Sequence, residues 1–299
     1  MIRILALLFV FAVPQEKEDV RIVFMRSQGY ASQHARGEEG IQLWVVENGK
    51  EERLNATLYK YIPLWSPDGK RMAFATGREG SPDLELCVSD ADGRNVKQLT
   101  QKRGVGEIRW SPDGAKLLFT AREKAGLYVV DVDGANEKRL VPAKADEGVQ
   151  SPAWSPDGKT IAFVRWRPPG KGGAYNEEIC VMDADGKNVK QLTDDAKIDR
   201  QPAWSPDNRR IAFTSYLDSA EGDICVMDAD GRNRANLTKG KGRNQQPLFS
   251  PDGASIAFLS GGRDDAPAGG LYTMKADGSG VALLVKDASA ILAWGKLPK

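Results

Sequence analysis

The chain holds a single histidine, His34, the one side chain whose ordinary pKa lies near neutrality. A Ser-His-Asp or Cys-His relay would have to use it. No G-x-S-x-G turn accompanies it, and it sits in the polar stretch 27–40, where a solvated loop residue is expected. The remaining acid–base groups are carboxylates, of which Glu107 and Asp199 are the candidates for hydrolase or lyase chemistry. Asp-x-Asp-Gly recurs at 90–93, 131–134, 183–186 and 228–231, with the composition of a calcium loop. An EF-hand loop, however, places Gly sixth and Glu twelfth. Here Gly is fourth, and the twelfth positions are Gln101, Pro142, Asp194 and Lys239, so a turn between strands accounts for the motif. No His/Cys cluster has zinc spacing, and neither metal nor cofactor is expected. Cys87, Cys180 and Cys225 occupy one position of a repeating unit. Equivalent points on separate units lie beyond the ~7 Å Cα limit for a bridge, which predicts three packed free thiols.

The elements that position these residues are set by that repeat. W-S-P-D-G stands at 65–69, 110–114 and 154–158, W-S-P-D-N at 204–208, F-S-P-D-G at 249–253, and a worn copy begins at Trp294. The spacings of 45, 44, 50, 45 and 45 residues are those of a four-stranded blade. Each unit reads as an inner strand ending at the Trp, the Ser-Pro-Asp-Gly turn, a second strand such as 161–164, a variable loop, and a third strand such as 179–183. The Asp-x-Asp-Gly turn and a short fourth strand such as 189–193 complete it. The N-terminal end supplies second, third and fourth strands near 21–24, 43–46 and 51–54, and the C-terminal end only an inner strand at 290–294. Joined, they complete one blade without open sheet edges. The predicted fold is therefore all-β, a six-bladed propeller of four-stranded antiparallel blades, one domain over 20–295.

The W-S-P-D-G and D-A-D-G repeats resemble the TolB-type, or PD40, β-propeller family of bacteria over roughly residues 20–295. That resemblance implies a periplasmic protein of the Tol–Pal envelope system whose propeller face binds a Pal-like lipoprotein. A further domain precedes the propeller in that family, and here the first strand follows the apolar N-terminal segment almost directly, which predicts the fold more firmly than the role.

Arg3, the apolar run 4–13 and the polar turn at 14–17 read as an export signal over 1–14, the alternative being a buried strand. About ten apolar residues are too few to span a bilayer, so stable membrane insertion is not expected, and the protein is placed in the periplasm or outside the cell. Lys plus Arg (42) and Asp plus Glu (41) nearly cancel, which gives no field for nucleic acid. The chain is read as a monomer.

Function is sought in what the repeat does not require. The two tight turns emerge on one face, and the loops 27–40, 77–83, 165–176, 216–222 and 261–269 with the connection 239–246 on the other. Tyr30, Tyr59, Tyr61, Trp166, Tyr175 and Tyr216 are the aromatic residues outside repeat positions beyond the N-terminal segment, and all map to that irregular face. Trp166 between Arg165 and Arg167 is the first candidate contact. The channel mouth is expected to carry Tyr61, Glu107, Gln150, Arg200, Gln201, Asn244, Gln245 and Gln246, a set suited to a peptide, a protein surface or a glycan. The predicted function is non-catalytic binding of a cell-envelope protein or peptide, with an envelope-polymer hydrolase or lyase and a carbohydrate-binding module as alternatives.

Overall fold

In the computed structural model the described residues are 64–288, with breaks at 78–82, 92, 102, 144–146, 168–175, 196 and 267, together with the backbone at 9–10, 21–26, 42–47, 50–53 and 289–295. Their strands fall into six sheets. The first is made by both ends of the chain, in the order Phe9–Val10, Ala288–Gly295, Arg21–Arg26, Gln42–Glu47, Lys50–Arg53. The other five have four strands each, beginning respectively at Leu64, Val105, Gly148, Asp199 and Arg243. All pairings within them are antiparallel, and the leading strands of the third to sixth sheets contact one another in series and then meet Ala288–Gly295, the packing of a β-propeller. Ala288–Gly295 pairs antiparallel with Arg21–Arg26, so the C-terminal strand does complete the N-terminal sheet. Phe9–Val10, inside the segment read as an export signal, forms a short parallel strand against Ala293–Trp294. Among the described residues no helix is long and apolar enough to cross a membrane.

The repeat residues build the turns. In each of five copies a buried serine (Ser66, Ser111, Ser155, Ser205, Ser250) donates its hydroxyl to the aspartate two residues on and accepts the backbone N–H five residues on. The aspartate in turn accepts the N–H beyond the turn. Serine donation holds the carboxyls of Asp68 and Asp252 below the usual range. In the Asp-x-Asp-Gly turns the first aspartate is held by an asparagine five residues on, at 2.6 Å for Asn95, Asn136, Asn188 and Asn233. Those acids complete turns, as the spacing argument expects.

The two turn types are also tied together. Ala184 N donates to Lys159 O and Ala229 N to Arg209 O, both at 2.8 Å, which fixes both turns on one face.

Cores lie between sheets because alternate residues of a strand point to opposite faces. Ile161 and Phe163 pack with Leu118 and Leu127 of the preceding sheet, while Ala162 packs with Trp204, Ile211 and Phe213 of the following one. The indoles of Trp110 and Trp204 reach back to donate to Leu64 O and Ala153 O. The three cysteines are free and buried, each opposite a phenylalanine: Phe74 with Cys87, Phe163 with Cys180, Phe213 with Cys225. Burial pushes their thiols up to about 11, 11 and 12.

Candidate binding groove around Trp166

The second strand of the fourth sheet runs on to Arg167, beyond the residues assigned to it by the repeat, because Gly148 and Val149 continue the ladder on one side and Asn176 to Glu178 on the other. Arg165, Trp166 and Arg167, expected in a loop, are thus strand residues, which gives Trp166 a rigid mount. Its cross-strand neighbours are Gly148 and Glu177. A Cβ placed on Gly148 would stand 1.7 Å from Trp166 Nε1, so the indole can lie where it does only because that position is glycine.

The indole forms one wall of a cavity of about 460 Å³ between the third and fourth sheets. The opposite wall is held by its own bonds. Arg139 donates to Ala125 O and Ala143 O and lies 6.0 Å from the Tyr128 ring, whose hydroxyl donates to Lys124 O at 2.7 Å. Exposed Arg122 and Lys124 add positive charge at the rim, and Glu147 faces Arg167 across 3.6 Å. Among the described residues that line it, the groove offers one aromatic face, a cationic rim and the Glu147 carboxylate. Its chemistry is complementary to a polar chain carrying an acidic or aromatic group.

A polar ridge continues from Trp166 toward the fifth sheet. Gln150 Nε2 donates to Glu177 Oε2 at 2.8 Å, Arg200 Nε stands 3.4 Å from the same oxygen, and the Arg200 guanidinium covers the Tyr216 ring at 4.9 Å. Four of the sequence candidates, Trp166, Gln150, Arg200 and Tyr216, are linked in this way through Glu177, which the sequence reading did not single out.

Other candidates serve the ring itself. Glu107 and Gln201 occupy the same repeat position, and each reaches the next inner strand: Glu107 Oε1 accepts Ser151 N at 2.8 Å, and Gln201 Oε1 accepts Gln246 N at 3.0 Å. Glu107 is buried beside Arg109, and burial raises its pKa. Asn244 is fully buried, its amide donating to Lys241 O and Gly242 O and accepting from Ser260 and Arg263. Its side chain faces inward, away from any partner. Arg165 lies over Phe163 at 5.9 Å, and Gln245 is exposed. Asp199 is buried and paired with Arg234 at 2.9 Å, and burial raises its carboxyl. Tyr30, His34, Tyr59, Tyr61 and Tyr175 lie outside the described residues.

Glycines are the signal that would have located the groove. Gly106 stands where other repeats carry Gln150, Arg200 and Gln245, and Gly126, like Gly270 in the sixth sheet, where three others carry Glu85, Glu178 and Asp223. Both glycines line the cavity.

A family model described as the TolB beta propeller domain, PD40, matches residues 120–291. The chain is 32% identical to the uncharacterized peptidase YuxL of Bacillus subtilis (strain 168), over 34% of this chain and 21% of that protein. It is 33% identical to the Tol-Pal system protein TolB of Gluconobacter oxydans (strain 621H), over 31% of this chain and 22% of that protein. The matches thus span about a fifth of each relative's length. The crystal structure of TolB from Acinetobacter baumannii superposes with a TM-score of 0.67 at 21% identity, covering 93% of this chain and 66% of that one. That likeness is one of fold.

Proposed function

The chain belongs to the TolB beta propeller domain family, and on that premise we propose that it is a non-catalytic platform that binds a protein or peptide of the cell envelope through its irregular face. The observation that carries this reading is the groove of about 460 Å³ in which the Trp166 indole, fixed across Gly148, faces a wall held by Arg139. Rigidly mounted aromatic and arginine side chains are the usual anchors of protein interfaces. The kinship with a Tol-Pal system protein supports an envelope partner, with a Pal-like lipoprotein as the specific candidate, and export by the N-terminal segment goes with it. Glu107 and Asp199, the carboxylates nominated for catalysis, are both buried, Glu107 Oε1 accepting Ser151 N and Asp199 Oδ1 pairing with Arg234, which favours binding over turnover.

The test is capture from an envelope extract by the full chain and by a Trp166→Ala/Arg200→Ala variant. Retention of one discrete protein by the parent and its loss in the variant, at unchanged Tm, is the expected result. Equal retention by both would place the contact elsewhere. Quenching of Trp166 fluorescence by saccharides, with no protein retained, would assign the groove to carbohydrate instead.

A further inference from the structure

Three repeats carry an acid two residues before the third-strand cysteine, Glu85, Glu178 or Asp223, and each acid accepts the hydroxyl of a threonine fifteen residues on: Thr100 at 2.7 Å, Thr193, and Thr238 at 2.6 Å. In two of the copies the rest of the carboxylate is also supplied with donors. Glu85 Oε1 accepts Arg103 N, and Asp223 accepts Gly240 N on one oxygen and Asn236 Nδ2 on the other. Glu178 departs from this: its Oε1 is buried with no hydrogen-bond donor among the described residues.

Two more acids come to Glu178 from the next sheet and its connection. Asp199 opens the inner strand of the fifth sheet, at the repeat position that elsewhere holds Val105, Val149 and Asn244, and Asp195 precedes it. One oxygen from each of Glu178, Asp195 and Asp199 lies within 4.8 Å of the others. Asp199 is fully buried with the Ser215 and Thr193 hydroxyls beside it, and its Oδ2 meets no donor in hydrogen-bonding geometry among the described residues. The nearby cation is Arg234, which pairs with Asp195 and, at 2.9 Å, with Asp199 Oδ1. Three carboxylates therefore face one guanidinium, and two buried oxygens on different sheets point no lone pair at a donor. An arrangement of that kind is severely penalised unless a positive species occupies it.

We propose that Glu178, Asp195 and Asp199 form a binding site for a hard divalent cation of the calcium class at the seam between the fourth and fifth sheets. An all-oxygen set selects calcium, magnesium or manganese over zinc or copper. Burial leaves little room for the water shell that magnesium retains, which favours calcium with its longer, more flexible bonds. Glu177 and Arg200, the chain neighbours of Glu178 and Asp199, form the ridge beside Trp166, so the cation would pin two strands that carry the groove. The acid at 199 is not required by the repeat, and the threonine clamp alone would have sufficed for the fold.

Calorimetric titration of the chelator-treated full chain with Ca²⁺ and Mn²⁺ is expected to give one site per chain and a rise in Tm on binding. Glu178→Gln is expected to weaken Ca²⁺ at least tenfold, and Asp199→Asn, which copies the asparagine found at 244, to do the same. Absence of heat and of a Tm shift at millimolar Ca²⁺, Mg²⁺ and Mn²⁺ in the parent protein would overturn the proposal. So would binding that both variants leave unaltered. If Glu178→Gln raises Tm while the parent ignores all three cations, the seam is neutralised by a proton and the site does not exist.

Discussion

Ser155 illustrates how much structure a single hydroxyl carries in this chain. It donates to Asp157 at 2.6 Å and accepts Thr160 N at 2.9 Å, so Ser155→Ala leaves a half-buried N–H without its acceptor and takes one of its donors from the aspartate. The expected cost is about 1–3 kcal/mol, read as a lower urea midpoint at unchanged slope. The same clamps set the acid limit. Because Asp68 and Asp252 are depressed in the folded protein, their contribution is present above the ordinary carboxylate value of about 3.9 and is lost as pH falls through the depressed value. Stability should therefore drop below about pH 4, and a Ser250→Ala variant should show a shallower drop than its parent. Gly148→Ala addresses function at the same scale. The new Cβ displaces a side chain at the groove edge and not the backbone, so Trp166 emission should shift to the red and partner capture should fall, with Tm lowered only slightly. An unshifted spectrum would mean that the indole does not lie over residue 148.

At the scale of strands and turns, the counted anchors and turn chemistry were enough to place the second and third strands of every repeat, since Phe and its Cys, Tyr or, in the first sheet, Trp partner mark the ladder directly. Phe119 stacks on Tyr128 at 5.3 Å and Phe258 on Tyr272 at 5.9 Å, in the register that elsewhere pairs Phe with Cys. The extension of the fourth sheet was less legible. Arg165, Trp166 and Arg167 break the apolar alternation, and only their pairing with Gly148, Val149 and residues 176–178 makes them strand. The acid seam was hidden for a related reason: Glu178, Asp195 and Asp199 have no ligand spacing in sequence and meet only across two sheets. Asn244 and Gln201 looked like channel contacts because sequence gives a polar residue's position along a strand but not the backbone groups awaiting it. The cysteines were readable, and they yield a prediction about elements. With thiols pushed to about 11 or higher inside the Phe-lined ladders, a thiol reagent at pH 7.5 should label none of Cys87, Cys180 and Cys225 in the native protein and all three in denaturant. Rapid labelling of a native thiol would show that its sheet opens locally.

For the whole molecule the decisive element is Ala288–Gly295, which lies between strands contributed by the N-terminal part of the chain. Its pairing with Arg21–Arg26 carries the last sheet across the chain ends, and its contacts with the inner strand Arg243–Phe249 join that sheet to the sixth. Losing this strand therefore breaks both the N-terminal sheet and its seam with the sixth. Ending the chain before Ala288 removes the strand and leaves Arg21–Arg26 with an unpaired edge, the kind of edge that recruits another chain. Removing only residues 296–299 touches none of these pairings. The longer truncation should lower the thermal midpoint by about 10 °C or more, a loss of several kcal/mol in a chain of this size, and should broaden the transition. It should also produce a concentration-dependent shift to larger species in size-exclusion chromatography with light scattering. The short truncation should match the parent in both measurements. If the longer truncation instead unfolds at the parent's temperature as the same species, the ends do not hold the ring together, and each seam between sheets must be stable without closure.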